Sequence, residues 1–255
     1  MLNADNILRK REMEQENILV NVTKRFASFP VLEDIRFTVR HNEFFCIAGP
    51  SGCGKTTLLQ TIAGITPVSS GQVLLNREPI DLQKHNIAYV FQEPSCLPWR
   101  TVEEDVRVGF EFRRNGTNFE GRVKDVLKTV GLTGFENYYP NQLSGGMKQR
   151  VAIARAFAAQ PDLLLMDEPF GHLDAQTRYF MQIAVRKIWE AMKATVVFVT
   201  NDVEEAVYLG DRVLVLSSLP ARIKVEVPID LPQPRDLTGK EFLQIRKTIT
   251  DYIDT

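Results

Sequence analysis

An α/β fold with a mostly parallel central sheet is predicted by three stretches of this sequence. Glu43-Phe44-Phe45-Cys46-Ile47-Ala48 is a short apolar run that leads into a glycine-rich loop and then a helical pattern. Leu163-Leu164-Leu165-Met166 is a second apolar run, ending in Asp167-Glu168. Thr195 to Thr200 is a third, followed at once by a helix with its own capping residue. Runs that are apolar throughout suit strands buried on both faces, as in parallel sheets covered by helices.

Taken in order, residues 1–16 are polar and charged and read as a loose tail or short helix. Residues 17–235 carry the body of the fold. The alternation Ile35-Arg36-Phe37-Thr38-Val39-Arg40 marks a half-exposed strand. From Lys55 to Gly64 a helix places Leu58, Leu59 and Ile62 on one face and stops at the glycine. From about Val102 to Tyr139 the chain turns helical and charged, with Gly116, Gly131 and Gly134 as breaks. Met147 to Ala159 forms the next helix. Asp174 caps another that runs to about Lys193, with Ile183, Ile188 and Trp189 as its apolar positions. Asp202, with Glu205 three residues on, suits the capping of a helix over Val203 to Leu209. Pro228, Pro232 and Pro234 then end regular structure, and Thr238-Gly239-Lys240-Glu241 reads as a capping box opening a C-terminal helix within residues 236–255.

Composition narrows the possibilities. At 255 residues and 44% apolar, the chain can bury one sizeable core. A net charge of −1 gives no basic field for nucleic acid. No apolar run approaches the length of a membrane span, and no signal peptide is visible. Cys46, Cys53 and Cys96 form no C-x-x-C pair, and an odd count argues against a disulfide framework. Any link to a membrane is therefore expected through a partner.

Gly49-Pro50-Ser51-Gly52-Cys53-Gly54-Lys55-Thr56 fits the phosphate-loop pattern G-x-x-x-x-G-K-[ST], between a strand and a helix as that motif requires. Successive backbone N–H groups of such a loop face one concavity and attract an anion. The helix starting at Lys55 adds its positive N-terminal end. Gly49, Gly52 and Gly54 keep the backbone close to the phosphates, Lys55 supplies a point charge, and the Thr56 hydroxyl suits Mg²⁺. A strand that delivers Asp167 and Glu168 at its C-terminal end would supply the acids.

Downstream, Leu143-Ser144-Gly145-Gly146-Met147-Lys148-Gln149-Arg150 resembles the signature motif of ATP-binding cassette (ABC) ATPases. With the phosphate loop, it identifies the chain as resembling an ABC transporter ATP-binding subunit over about residues 17–235. The resemblance implies a P-loop NTPase core of RecA-like type, an N-terminal antiparallel β-subdomain and a helical subdomain inserted at about residues 100–160. It implies ATP and Mg²⁺ as ligands, with Gly49 to Thr56 around the phosphates and Thr57 on an α-phosphate oxygen. Asp167, Thr56 and Gln92 fall to the metal, Glu168 to the attacking water as general base, and Phe26 to the adenine. Ser144, Gly145 and Gly146 would meet the ATP held by a second, head-to-tail cassette. Gly171-His172-Leu173-Asp174 occupies the place of the D-loop, with Gly-His for the more usual Ser-Ala.

One position departs from the family pattern. In Val199-Thr200-Asn201-Asp202, asparagine stands where the family places a switch histidine. The expected function is thus a slow but real ATPase motor, the alternative being a regulatory subunit with weak or no hydrolysis. Gln92-Glu93-Pro94-Ser95-Cys96-Leu97-Pro98-Trp99-Arg100-Thr101-Val102 resembles the nitrate, sulfonate and taurine importer branch, and Pro234-Arg235-Asp236 points the same way. The implied partners are a second ATPase subunit, a transmembrane permease and, indirectly, an extracytoplasmic solute-binding protein, at the cytoplasmic face of the membrane. Only about 89 residues separate Lys55 from Ser144, which leaves no space for the long coiled coil of DNA-repair relatives.

Overall fold

The computed structural model describes residues 16–111, 119–192 and 194–255. The tail expected before residue 16 and the break expected at Gly116 lie outside them. Two antiparallel strands open the chain, β1 (Glu16–Phe26) and β2 (Phe29–Arg40), followed by β3 (Phe44–Ala48) and helix α1 (Lys55–Ile62). Strands β4 (Ser70–Leu75), β5 (Glu78–Pro79) and β6 (Ile87–Val90) come next, then α2 (Val102–Glu111), α3 (Phe119–Thr129) and α4 (Gly145–Ala158). The rest is β7 (Leu163–Asp167), α5 (Ala175–Met192), β8 (Thr195–Thr200), α6 (Val203–Leu209), β9 (Arg212–Leu216), β10 (Ile223–Pro228) and α7 (Lys240–Asp254).

The strands form two sheets. A four-stranded sheet runs β2-β1-β4-β5, all antiparallel. A six-stranded sheet runs β10-β9-β3-β8-β7-β6, parallel except for the β10 edge. The expected α/β architecture is therefore present. Its apolar runs have a simple cause. On β3, Phe44, Cys46 and Ala48 face the helical side, while Phe45 and Ile47 face the antiparallel sheet. β7, β8 and β9 divide in the same way, so their interior positions are apolar on both faces, with polar residues only at the strand ends. On α1, Leu58, Leu59 and Ile62 are buried in the cluster between the core sheet and the antiparallel sheet, each worth roughly 1.5–3 kcal/mol.

Helix ends mostly follow the expected caps. Asp174 accepts from Thr177 N at 3.0 Å, and Asp202 from Glu204 N at 2.8 Å. Asp202 also accepts from Glu205 N at 3.4 Å, while the Glu205 carboxylate accepts from Thr200 Oγ1 at 2.7 Å. The capping box expected at Thr238 is corrected. Thr238 turns its hydroxyl to Asp236 Oδ1 at 2.7 Å, and Gly239 stands at the start of α7 without a side-chain bond. Asp236 Oδ1 also takes the Thr238 N–H at 2.9 Å, the donor that the box would have given to Glu241.

Candidate nucleotide site

Because β3, β8, β7 and β6 are parallel neighbours, their C-terminal ends lie along one edge. The chain leaves that edge as the loop at Gly49, as Asn201, as Glu168 and as Gln92. Ala48 pairs with Thr200 and Asp167 with Val199, which fixes the height at which each side chain emerges. Residues far apart in sequence thus meet at one place.

The loop needs its glycines. Gly54 has φ +106°, and a Cβ there would sit 2.9 Å from Val31 Cγ1. Lys55 is buried, with 3% of its surface exposed, and donates to Gly49 O and Pro50 O at 2.9 Å each. It also donates to Asn201 Oδ1 and lies 3.9 Å from Glu168 Oε1. Thr56 Oγ1 donates to Asp167 Oδ1 at 3.0 Å. Cys53 fills space beneath the loop, its thiol pushed up by burial. Pro50 and Ser51 form the turn, and Thr57 follows Thr56 in α1.

Burial raises the Asp167 carboxyl, opposed by hydrogen bonds from Thr56 and Tyr89 and by the Lys55 charge. Glu168 is raised by burial as well, with Lys55 pulling down, Asp167 pushing up and a hydrogen bond with Asn201 pulling down. Glu168 also holds a left-handed backbone, φ 42°, at a cost of about 1–2 kcal/mol for a residue with a Cβ. Bonds from its N–H to Val199 O, 2.9 Å, and from Gly171 N to its own carbonyl, 3.1 Å, hold that geometry.

The remaining expected residues lie elsewhere on the surface. Ser144 is exposed and caps α4, accepting from Met147 N at 3.2 Å, with Gly145 and Gly146 opening the helix. Gln92 is exposed two residues past β6. Phe26 sits at the tip of the β1–β2 hairpin, 51% exposed, with Lys24 Nζ 4.6 Å from its ring centroid. Beside Gln92, a cleft of about 1200 Å³ runs between β6 and the helical layer, lined by Tyr89, Phe91, Leu97 and Arg155 among others. Trp99, at 71% exposed, stands out from the loop beyond it.

Sequence reasoning missed Tyr89, whose hydroxyl donates to Asp167 Oδ2 at 3.1 Å. The register explains it: Tyr89 pairs with Leu165, and Asp167 is two residues on, on the same face. It also missed Arg178, which reaches Leu173 O, Asp202 and Glu205.

The residues present fit a nucleoside triphosphate with Mg²⁺. A buried ammonium lies between loop carbonyls and acids, and a hydroxyl and a carboxylate oxygen stand together as hard oxygen donors. Among the described residues no group of three or more His, Cys, Asp or Glu could hold a metal alone. Mg²⁺ takes few protein ligands and completes its shell with phosphates and water. A glycine loop between β3 and its helix, with acids at the end of β7, one strand beyond β8, defines a P-loop ATPase.

The comparisons with known proteins narrow that class. The ABC transporter family profile matches residues 32–171. An uncharacterized ABC transporter ATP-binding protein of Methanocaldococcus jannaschii is 46% identical, over 99% of this chain and 97% of that protein. The aliphatic sulfonates import ATP-binding protein SsuB of Bacillus cereus is 41% identical, over 91% of this chain and 92% of its own. Among solved structures, a dimeric ATP-binding cassette in a post-hydrolysis state, bound to ADP and Pi, superposes with a TM-score of 0.73 at 31% identity. That match covers 84% of this chain and 99% of the other. The cbiO1 protein of Clostridium perfringens, part of the ABC transporter complex cbiONQ, has a TM-score of 0.74 at 26% identity, covering 84% and 89%. This chain belongs to the ABC transporter family. It is an ATP-binding subunit, an ABC transporter ATPase homologous to the sulfonate import proteins. No helix among the described residues is long and apolar enough to cross a membrane.

Proposed function

We propose that this chain is the motor of an ABC importer, closing head to tail with a second copy around two ATP molecules and driving a permease for a small anion such as a sulfonate, taurine or nitrate. The observation that carries the reading is the convergence of Lys55, Thr56, Asp167, Glu168 and Asn201 at one sheet edge. Lys55 would exchange its carbonyl partners for β- and γ-phosphate oxygens, and the N–H groups from Gly49 to Thr57 would cradle the rest. Phe26, half-exposed, would stack on the adenine. Thr56 and Asp167, with Gln92, would hold Mg²⁺, which neutralises phosphate charge. Glu168 would take the proton of the attacking water; its raised pKa brings it nearer the working pH and makes it a better acceptor. Asn201 would donate an amide hydrogen bond toward the γ-phosphate.

Ser144, Gly145 and Gly146 open a helix at an exposed N-terminus, so that positive end is free for an anion held by another copy. The cleft beside Gln92, together with the exposed Trp99 two residues past its lining residue Leu97, would receive the permease and hold the chain at the cytoplasmic face of the membrane. The sulfonate-import names of the relatives support the anion class. A regulatory subunit with weak or no hydrolysis is the second reading, favoured by Asn201 alone.

Glu168→Gln tests the main reading. It keeps the shape but removes the base, so turnover should fall by ~10² or more while ATP binding survives. With ATP, gel filtration should show a two-fold dimer accumulating. A variant that binds ATP yet stays monomeric would overturn the paired site.

A further inference from the structure

We infer that Arg178 is a positioning residue, whose guanidinium ties the loop Gly171-His172-Leu173-Asp174 to both neighbours of Asn201 and so sets where the Asn201 amide sits. The inference rests on the reading of Asn201 given above. Arg178 lies in the first turn of α5 and touches three elements at once. Its Nη2 donates to Leu173 O at 3.3 Å, within that loop. Its Nη1 lies 3.5 Å from Asp202 Oδ2, directly after Asn201. Its Nε lies 3.7 Å from Glu205 Oε1.

Glu205 closes the circuit on the other side of Asn201. It is buried, and its second oxygen accepts from Thr200 Oγ1 at 2.7 Å. Thr200 Oγ1 in turn accepts from Asp202 N at 3.0 Å. Thr200 and Asp202 are therefore both held by groups that Arg178 holds, and Asn201 lies between them.

The far end of the same helix is fixed separately. Arg235 is buried and donates from Nη1 to Val207 O, Tyr208 O and Gly210 O at 2.6–3.0 Å. With the C-terminal turn of α6 pinned there, Arg178 acts on the end that carries Asn201, where Arg246 Nη1 also bonds Glu204 Oε2 at 2.7 Å. Arg178 Nε is buried and makes no hydrogen bond in this arrangement, so the grip has one unused donor. A shift of Leu173 that draws the guanidinium toward Glu205 would complete it. Pressure on the loop is thereby passed to the amide beside Lys55 and Glu168.

The test is a double-mutant cycle on ATP hydrolysis by the full chain, with kcat and KM measured separately. Arg178→Ala should lower kcat about tenfold while KM for ATP moves less than about twofold. In an Asn201→Ala background the same change should alter kcat by less than about twofold, because its target is already gone. Arg178→Lys keeps the charge but loses the fork, so it should fall between and be silenced in the same background. That variant carries the cycle if the alanine form does not fold. Equal losses in both backgrounds would overturn the inference and leave the Asn201 reading standing. So would a rise in KM matching the fall in kcat, together with a lowered Tm, since that marks a structural role. An Asn201→Ala variant with native kcat would overturn the reading of Asn201 itself, and the inference with it.

Discussion

Lys55 Nζ donates to Asn201 Oδ1, so the loop lysine is bonded directly to the residue that stands where the family has a histidine. The same asparagine hydrogen-bonds Glu168, which lowers that carboxyl against the effect of burial. One short side chain therefore touches both the ammonium and the carboxylate. An amide offers a donor and an acceptor at once but cannot become a cation or shuttle a proton.

That chemistry predicts a slow but real ATPase. Loss of one charge-stabilising donor costs ~10²–10³ in rate, and a retained amide recovers part of it. Asn201→His should raise kcat several-fold with little change in ATP affinity. Steady-state hydrolysis decides it, and an unchanged or lower rate would show that asparagine is the adapted residue here. Absence of hydrolysis by the native chain, even with its permease, would establish the regulatory reading.

Lys55 and Ser144 should separate binding from turnover. Lys55→Ala removes the buried charge at the loop and should weaken nucleotide binding. Ser144→Arg alters an exposed helix start, so binding should survive while hydrolysis is lost across the pair. Equilibrium binding of a fluorescent ATP analogue to each variant checks this. Equal loss of binding would place Ser144 within its own subunit's fold.

Trp99 should matter to transport. Its ring is 71% exposed, so Trp99→Ala should change stability by only about 0.5 kcal/mol or less. In reconstituted vesicles, solute uptake and permease-stimulated hydrolysis should fall. Native uptake by that variant, or a large drop in Tm, would remove Trp99 from the permease surface.

Glu205 makes stability depend on pH. Burial pushes its carboxyl from 4.5 to about 7; a hydrogen bond from Thr200 and the Arg178 charge oppose the rise, and the charges of Asp202 and Glu168 add to it. The folded chain therefore binds more protons at this site than the unfolded one. Stability from this site is greatest below pH 4.5 and falls as pH rises to about 7, by up to about 3 kcal/mol. Glu205→Gln cannot ionise, so its stability relative to the native chain should rise between pH 5 and pH 8. Urea unfolding at both values measures the difference, and a constant gap would refute the assignment.

How much of this was legible before folding follows from how far each signal reaches along the chain. The phosphate loop, the Leu163–Asp167 strand, the Thr195–Thr200 strand and the Val203–Leu209 helix are local patterns, and the sequence determined them because apolar period and capping residues act within a few positions. A half-exposed strand was likewise legible in the alternation from Ile35 to Arg40, which falls within β2, while its place in an antiparallel sheet came only from the family resemblance. Thr238 shows the limit of local reading, since Asp236 takes both its hydroxyl and the backbone N–H that a capping box would give to Glu241. Tyr89 and Asp167 are 78 positions apart, and only the parallel pairing of β6 with β7 brought the phenol to the carboxylate. Arg178 had no sequence signal at all. Its reach to Leu173, Asp202 and Glu205 exists because α5 packs against α6 beside the end of β8, a packing decided by burying both helices on the core sheet. The sequence determined which chemistry the chain carries; the tertiary structure decided which side chains hold it in place, because those contacts depend on strand order and register rather than on spacing.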